Sequence, residues 1–339
     1  MIPALLEKLQ RREDLTTTEA AEAMSRIMEG QVTPAQVAGL LVALRLKGER
    51  PAEIVGLAQT MRSRATCLSK RYPDAFDTCG TGGDGGTTFN VSSVVALVVA
   101  ACGVTVAKHG NRSVSSKCGS ADLYQALGVD IAADPATVER CLDAAGIAFF
   151  FAPTFHPSMR HAGEARRDLG IRTAFNLLGP LTNPAGVRFQ LVGVPRPEMT
   201  ELVARALALL GAERAWVVHG ADGIDEISTR GYTKVSECHR GLVHTFYVHP
   251  TDVGLRKADA EALAGGTADT NAAIAREILA GQPGARRDIV VFNAGVALYI
   301  AGRAGSVRAG MDLAARALDD GRAAATLEAM VTHSRGATA

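Results

Sequence analysis

Five glycines fall within positions 80–86 (Gly80, Gly82, Gly83, Gly85 and Gly86), and the polar side chains that follow are mostly hydrogen-bond donors. They come in three groups: Asn90, Ser92 and Ser93; then Lys108, His109, Asn111 and Arg112; then Ser115 and Ser120 within 115–122. Glycine lets the backbone reach positive φ and approach a ligand closely, and the helix expected behind the glycines, containing 94–101, offers unpaired N–H groups at its start. Phosphate is the guest that suits this chemistry. Two further places could do chemistry. Arg160, Arg166, Arg167 and Arg172 lie close together, and Asp225 and Glu226 are adjacent. By themselves the arginines make a solvated helix face and the carboxylates an exposed turn. Beside a pyrophosphate, however, adjacent carboxylates repel unless a hard divalent cation intervenes, and Mg²⁺ takes a few carboxylates plus substrate oxygens.

Gly80, Gly82 and Gly85 satisfy the letter of the dinucleotide-binding pattern G-x-G-x-x-G. That pattern needs an acidic residue about 20 positions on for the ribose hydroxyls. None occurs between Asp84 and Asp122. A Walker A loop is excluded too, because no Gly-Lys-Ser/Thr closes the glycine run.

The elements that must hold these residues follow from periodicity. A short extended run at 75–78 leads into the glycines, and a strand at 104–107 delivers Lys108 to Arg112. Consecutive strand-to-helix connections of a parallel α/β sheet share one edge, where ligands sit. From about Tyr72 onward, short β-branched or aromatic runs alternate with helical stretches, which predicts an α/β domain with a central, mostly parallel sheet flanked by helices. Strands are expected at 147–152, 190–194, 215–219, 243–248 and 288–293, the last followed by a helix over 294–301. Asp134-Pro135 starts a helix running to Gly146. Another, over 157–169, places Met159, Gly163 and Arg166 near one another.

Positions 1–66 read as helices only: Thr33-Pro34 is an N-cap with a first-turn proline, Val37, Leu40, Leu41 and Leu44 share a face, and Gly48 ends the segment. Flanking helices fit 18–28 and 51–64. Such a unit is too small to bury a core alone and packs on the larger domain or a second subunit. The expected division is 1–70 helical, 71–331 α/β, and 332–339 a loose tail.

With 339 residues, a net charge of +1, 47% hydrophobic and 21% charged residues, the composition is that of an ordinary globular protein. Nothing in it argues for bulk nucleic-acid or membrane binding. Six cysteines lack C-x-x-C spacing and are read as reduced. The N-terminus lacks a signal-peptide core and no apolar run is of membrane length, so the cytoplasm is expected.

GTGGDG, TFNVSS, AKHGNRSVSS and GSAD, in this order and spacing, resemble the anthranilate phosphoribosyltransferase family of tryptophan biosynthesis, and the likeness extends over nearly the whole chain. The resemblance implies that the enzyme transfers the phosphoribosyl group of 5-phosphoribosyl-1-pyrophosphate to the amino group of anthranilate. Combined with anion physics, it places pyrophosphate along 80–85 with Mg²⁺, and the 5-phosphate near Asn90, Ser92, Ser93 and Lys108. Gly80, Gly83, Thr88 and Ser120 complete the donor site, with Asp84 orienting the loop or contacting ribose. Arg166 matches the arginine that holds anthranilate's carboxylate, and Asn111 the other acceptor contact. Gly80 and the apolar approach, Ala152, Pro153, His156 and Met159, belong to the same pocket, with His156 alternatively a packing residue. Asp225 and Glu226, in the segment DEIS, match the metal-binding pair, Ser92 completes the set, and Asp222 stands behind them. Lys108 would stabilise the departing pyrophosphate, and His109 would either assist proton removal or support the loop. One departure is Ser93, where the family commonly has threonine; the hydroxyl is retained. The resemblance further implies a homodimer through the helical domain, to which a segment near 165–185 returns. Two competitors are a pyrimidine nucleoside phosphorylase, whose motifs around the glycine loop differ, and a non-catalytic nucleic-acid-binding relative, which would carry a basic surface.

Overall fold

Thr16 and Thr33 each accept the amide hydrogen three residues on, while Glu19 and Gln36 reach back to the capping backbone. These reciprocal caps satisfy the orphan donors of a helix start. They open two of the four N-terminal helices, α1 (Ile2–Gln10), α2 (Thr17–Met28), α3 (Pro34–Lys47) and α4 (Pro51–Ser63). Val37, Leu40, Leu41 and Leu44 are buried, as their spacing predicts. Glu53 is fully buried and accepts from the backbone of Leu15 and Arg50 and from Lys47, tying the α1–α2 connection to α4.

The computed structural model describes residues 1–83, 88–113 and 117–336. After the helices come β1 (Phe76–Asp77), α5 (Val91–Ala101), β2 (Val106–Gly110), α6 (Ser120–Leu127), α7 (Pro135–Ala145), β3 (Ile147–Phe151), α8 (Ala152–Phe155) and α9 (Gly163–Leu169). There follow β4 (Phe189–Gly193), α10 (Met199–Leu209), β5 (Arg214–Gly220), β6 (Thr233–His239), β7 (Leu242–Val248), α11 (Ala268–Leu279), α12 (Ala285–Ile300), α13 (Val307–Asp319) and α14 (Arg322–Ser334).

The strands form one seven-stranded sheet in the order β3-β2-β1-β4-β5-β6-β7. β3, β2, β1, β4 and β5 are parallel, and β6 and β7 continue antiparallel. The chain winds from β1 outward to β3, then returns to the other side of β1 with β4. That reversal opens a crevice beyond the carboxyl ends of β1 and β4, where ligands bind in open α/β sheets.

Two hydrophobic cores result. One holds α5, α7 and α11–α14 against the sheet. The other joins α1–α4 to α10, and to Ala162, Ala165, Ala174, Phe175, Leu177, Leu178 and Leu181 of the chain that follows β3. Arg62 pins the junction, donating from α4 to the carbonyls of Leu181 at 2.6 Å and Leu210 at 3.2 Å.

Four expectations need correction. The strand expected at 288–293 lies within α12, which is buried from Ile289 to Leu298. A short apolar run is ambiguous by periodicity, and here it continues into a helix that is apolar on most sides. β6 was not expected, since Lys234, Ser236, Glu237 and His239 interrupt its apolar residues; Glu237 is nonetheless buried by accepting from Trp216 and Arg214. The helix over 157–169 is a 3₁₀ turn, Pro157–Ala162, followed by α9. The tail does not loosen at Thr332: α14 runs through Ser334, whose hydroxyl accepts from Asp130 N at 3.0 Å, and Arg335 donates to Gly128 O. No helix among the described residues is long and apolar enough to cross a membrane.

Candidate active site

β1 delivers the glycine turn to the crevice. Thr81 N donates to Gly193 O at 2.8 Å, joining the turn to the end of β4. A Cβ on Gly80 would lie 3.2 Å from both Gly193 O and Asp225 Oδ2, so the close approach leaves little room for a side chain. Gly82 (φ +64°) and Gly83 (φ +100°) occupy the region that only glycine reaches without strain.

A cavity of about 890 Å³ opens there, within the range of small-molecule sites. Its walls bring together the residues singled out from the sequence. Gly80, Gly83, Thr88, Asn90, Ser92, Ser93, Lys108 and Ser120 line one part. His109, Asn111, Ala152, Pro153, His156, Met159 and Arg166 line another, and Asp225 and Glu226 reach it from beyond β5. Asp84, Gly85, Gly86 and Ser115 lie outside the described residues.

One expectation about anion binding is overturned. The start of α5 does not present unpaired amides: Val91 N donates to Phe89 O, Ser93 N and Val94 N to Asn90 O, and Ser92 N to Glu226 Oε1 at 3.0 Å. A carboxylate sits where the helix dipole favours negative charge. Side chains are left as the donors of this wall. Ser93 Oγ is buried with no hydrogen-bond partner among the described residues, a deficit native interiors seldom leave unexplained. Asn90 is held by Cys118 O through Nδ2 at 3.1 Å and by Asn271 Nδ2 through Oδ1 at 2.9 Å.

Beneath the turn, the Asp77 carboxylate is wholly buried. It accepts from Cys79 N at 3.0 Å, His109 N at 3.2 Å and Asn183 Nδ2 at 2.8 Å. Burial pushes its pKa up to about 6, against the opposing charge of Lys108 and these hydrogen bonds. Lys108, 2% exposed, donates to Thr78 O at 3.3 Å. Its charge therefore serves both the buried carboxylate and the cavity.

His109 Nδ1 lies 2.9 Å from Gly179 O. A carbonyl can only accept, so Nδ1 carries the hydrogen and Nε2 keeps its lone pair. Nε2 is buried and has no partner among the described residues. Burial, with smaller contributions from His156 and Lys108, holds His109 near pKa 3. His156, its ring centroid 5.3 Å away, is held near 4 by burial, although the Thr182 backbone favours its charged form. Neither of its ring nitrogens makes a hydrogen bond of regular geometry. Both imidazoles are neutral at physiological pH.

Arg166 projects from α9 with its guanidinium 5.9 Å from the Phe175 ring centroid. No carboxylate among the described residues pairs with it, and burial lowers its pKa. A partly desolvated, uncompensated guanidinium in a cavity wall matches a planar carboxylate. Asp225 and Glu226 offer only oxygen, as does Ser92, and no group of three or more His, Cys, Asp or Glu gathers among the described residues. Such a donor set fits a hard cation that keeps substrate or water oxygens, and does not fit zinc.

Four contributors were not read from the sequence: Asp77, Asn183, Asn271 and, in a site role, Arg172. Asn183 and Asn271 stand in segments without a motif, and only the fold brings them close. Arg172 was grouped with the solvated arginines, yet Arg160, Arg166, Arg167 and Arg172 all line the cavity.

Comparison with known proteins agrees with this geometry. Residues 72–324 match the glycosyl transferase family a/b domain, and residues 3–65 the helical bundle domain of the same family. The anthranilate phosphoribosyltransferase of Moorella thermoacetica is 54% identical over 98% of both chains. The crystal structure of the Thermus thermophilus anthranilate phosphoribosyltransferase superposes with a TM-score of 0.92 at 46% identity, covering 97% of this chain and 99% of that one. The Saccharomyces cerevisiae enzyme in complex with PRPP and Mg superposes with a TM-score of 0.89 at 27% identity, covering 99% and 98%. The chain belongs to the anthranilate phosphoribosyltransferase family.

Proposed function

We propose that this protein transfers the phosphoribosyl group of 5-phosphoribosyl-1-pyrophosphate to the amino group of anthranilate, releasing pyrophosphate. The observation that carries the reading is the convergence, in one cavity, of a glycine turn at the sheet's switch point and an arginine, Arg166, that has no carboxylate partner among the described residues. The first suits pyrophosphate and the second a carboxylate.

The donor's pyrophosphate lies along Gly80 and Gly83, with Thr88, Asn90, Ser92, Ser93, Lys108 and Ser120 around the rest of the molecule. Ser93 Oγ, lacking a partner among the described residues, supports a phosphate contact. Asp225, Glu226 and Ser92 would hold Mg²⁺, which when bound neutralises charge developing on the departing pyrophosphate. Lys108 adds its fixed charge to the same end.

Arg166 and Asn111 fix anthranilate by its carboxylate, and Pro153, His156 and Met159 wall the ring. The aromatic amine has a free lone pair at neutral pH, so its nitrogen attacks the anomeric carbon without prior deprotonation. As the C–N bond forms, the C–O bond to pyrophosphate breaks, and the cationic nitrogen then releases its extra proton to the departing pyrophosphate or to water. His109 Nε2, an acceptor held neutral, takes a hydrogen bond from the amine and orients it. Orientation and preorganised charge supply the acceleration.

We place the enzyme in the cytoplasm as a homodimer through its helical layer. Support comes from the free cysteines and from Leu46, 75% exposed in α3. Loss of anthranilate fluorescence on mixing with the donor, with and without Mg²⁺, tests the activity. Constant fluorescence with folded protein and intact donor removes the acceptor assignment. Thymidine phosphorolysis would then support a nucleoside phosphorylase.

A further inference from the structure

Arg172 stands between α9, which carries Arg166, and Phe175, and it reaches back over the glycine turn. Its Nη2 donates to Thr81 O at 2.9 Å and to Gly82 O at 2.6 Å. Its guanidinium lies so close over Gly83 that a Cβ there would run into it.

The two carbonyls it binds belong to consecutive peptide units. In a trans peptide the C=O and N–H of one unit point in opposite directions, and no cis bond occurs among the described residues. Fixing the carbonyls of Thr81 and Gly82 toward Arg172 therefore turns the amide hydrogens of Gly82 and Gly83 to the opposite side. Neither has an acceptor among the described residues. Successive N–H groups turned to one side form an anion-binding concavity. The amides at the start of α5 are already taken, and Gly82 and Gly83, which line the cavity, are among the described residues whose backbone N–H groups stay available to a ligand.

We infer that Arg172 is a positioning residue: it holds the glycine turn so that the Gly82 and Gly83 amides converge on the donor's pyrophosphate. This rests on the donor reading above. Both carbonyls are engaged through one guanidinium nitrogen, and Nη1 lies over Gly83, so the rigid planar head suits the task better than a single ammonium.

The test is calorimetric titration of inorganic pyrophosphate with Mg²⁺ into wild type, Arg172→Ala and Arg172→Lys, with unfolding curves to confirm that each is folded. Arg172→Ala should weaken binding roughly 10- to 100-fold, the effect of losing hydrogen bonds to a charged group. Arg172→Lys should fall between, and guanidinium ion should restore part of the alanine variant's affinity. In turnover, the Michaelis constant for the donor should rise while that for anthranilate stays within about twofold. Equal binding by wild type and Arg172→Ala overturns the inference while leaving the donor site standing. Full affinity in Arg172→Lys also overturns it, since charge alone would then suffice. A wild type that binds neither pyrophosphate nor donor overturns the functional reading, and the inference with it.

Discussion

Glu226 Oε1 accepts the amide hydrogen of Ser92 at 3.0 Å, so a residue proposed for metal binding also caps the helix behind the proposed phosphate site. The two duties can be separated. Glu226→Gln keeps an acceptor for Ser92 and loses the charge. It should leave folding stability near that of wild type, raise the magnesium concentration for half-maximal rate, and lower turnover by roughly 100- to 1000-fold. Asp225→Asn should behave alike. An unchanged magnesium titration in both variants removes the pair from the metal site.

Arg166 has an aromatic face beside it and no carboxylate partner among the described residues, so removing it orphans no charge among them. Arg166→Ala should fold normally and raise the Michaelis constant for anthranilate roughly 10- to 100-fold, with a much smaller effect on that of the donor. Arg166→Lys should recover little, because a point charge cannot make two parallel hydrogen bonds. Steady-state kinetics in both substrates decides; equal effects on the two count against the assignment.

Acid stability follows from three buried groups. His109 and His156 are lowered from 6.5 to about 3 and about 4, so the folded state binds fewer protons than the unfolded one below pH 6.5, and stability falls with acid. Asp77, raised from 3.8 to about 6, acts oppositely: it adds stability as pH drops through 6. Two protons against one leave a net loss of about 1.4 kcal/mol per pH unit between roughly pH 6 and 4 from these groups. His156→Leu removes the titrating ring without adding a polar group that needs a partner, and should flatten the slope relative to wild type in denaturant titrations. Identical slopes would contradict the lowered pKa.

Lys108 offsets the charge of Asp77 beneath the glycine turn. Lys108→Met should lower stability by about 1–3 kcal/mol, and less in an Asp77→Asn background, where no buried carboxylate needs compensation. Denaturant unfolding of the four proteins gives the coupling. Additive losses would mean the two groups do not share charge.

The parts of the site legible beforehand are those that carry their chemistry in consecutive residues. The glycine turn, Lys108 to Asn111, and the Asp225-Glu226 pair each follow a parallel strand, and parallel strands deliver their carboxyl ends to one edge. Arg166 was legible only through the family resemblance: its spacing from Met159 and Gly163 alone left it on a solvated helix face, and the expected helix is broken at Gly163. Asn183 and Asn271 were not, because a lone asparagine carries no period and its partners, Asp77 and Asn90, lie 106 and 181 residues away. The misread segment at 288–293 shows the limit of hydrophobic periodicity: Ile289, Val290, Val291 and Phe292 favour a strand locally, and burial on most sides of α12 lets them serve a helix. The amides at the start of α5 were misjudged because Glu226, 134 residues on, takes one of them.

β5 turns Trp216 and Val218 into one hydrophobic core and Ala215 and Val217 into the other; β4 divides Leu191 from Val192 in the same way. Strand alternation thus makes two layers share a single wall. The N-terminal helices cannot peel away without uncovering α10, which covers that face of β5, β6 and β7. Denaturation should therefore proceed as one cooperative event across both family domains. A destabilising change deep in α2 or α3 would be felt as a lower melting temperature of the whole catalytic body.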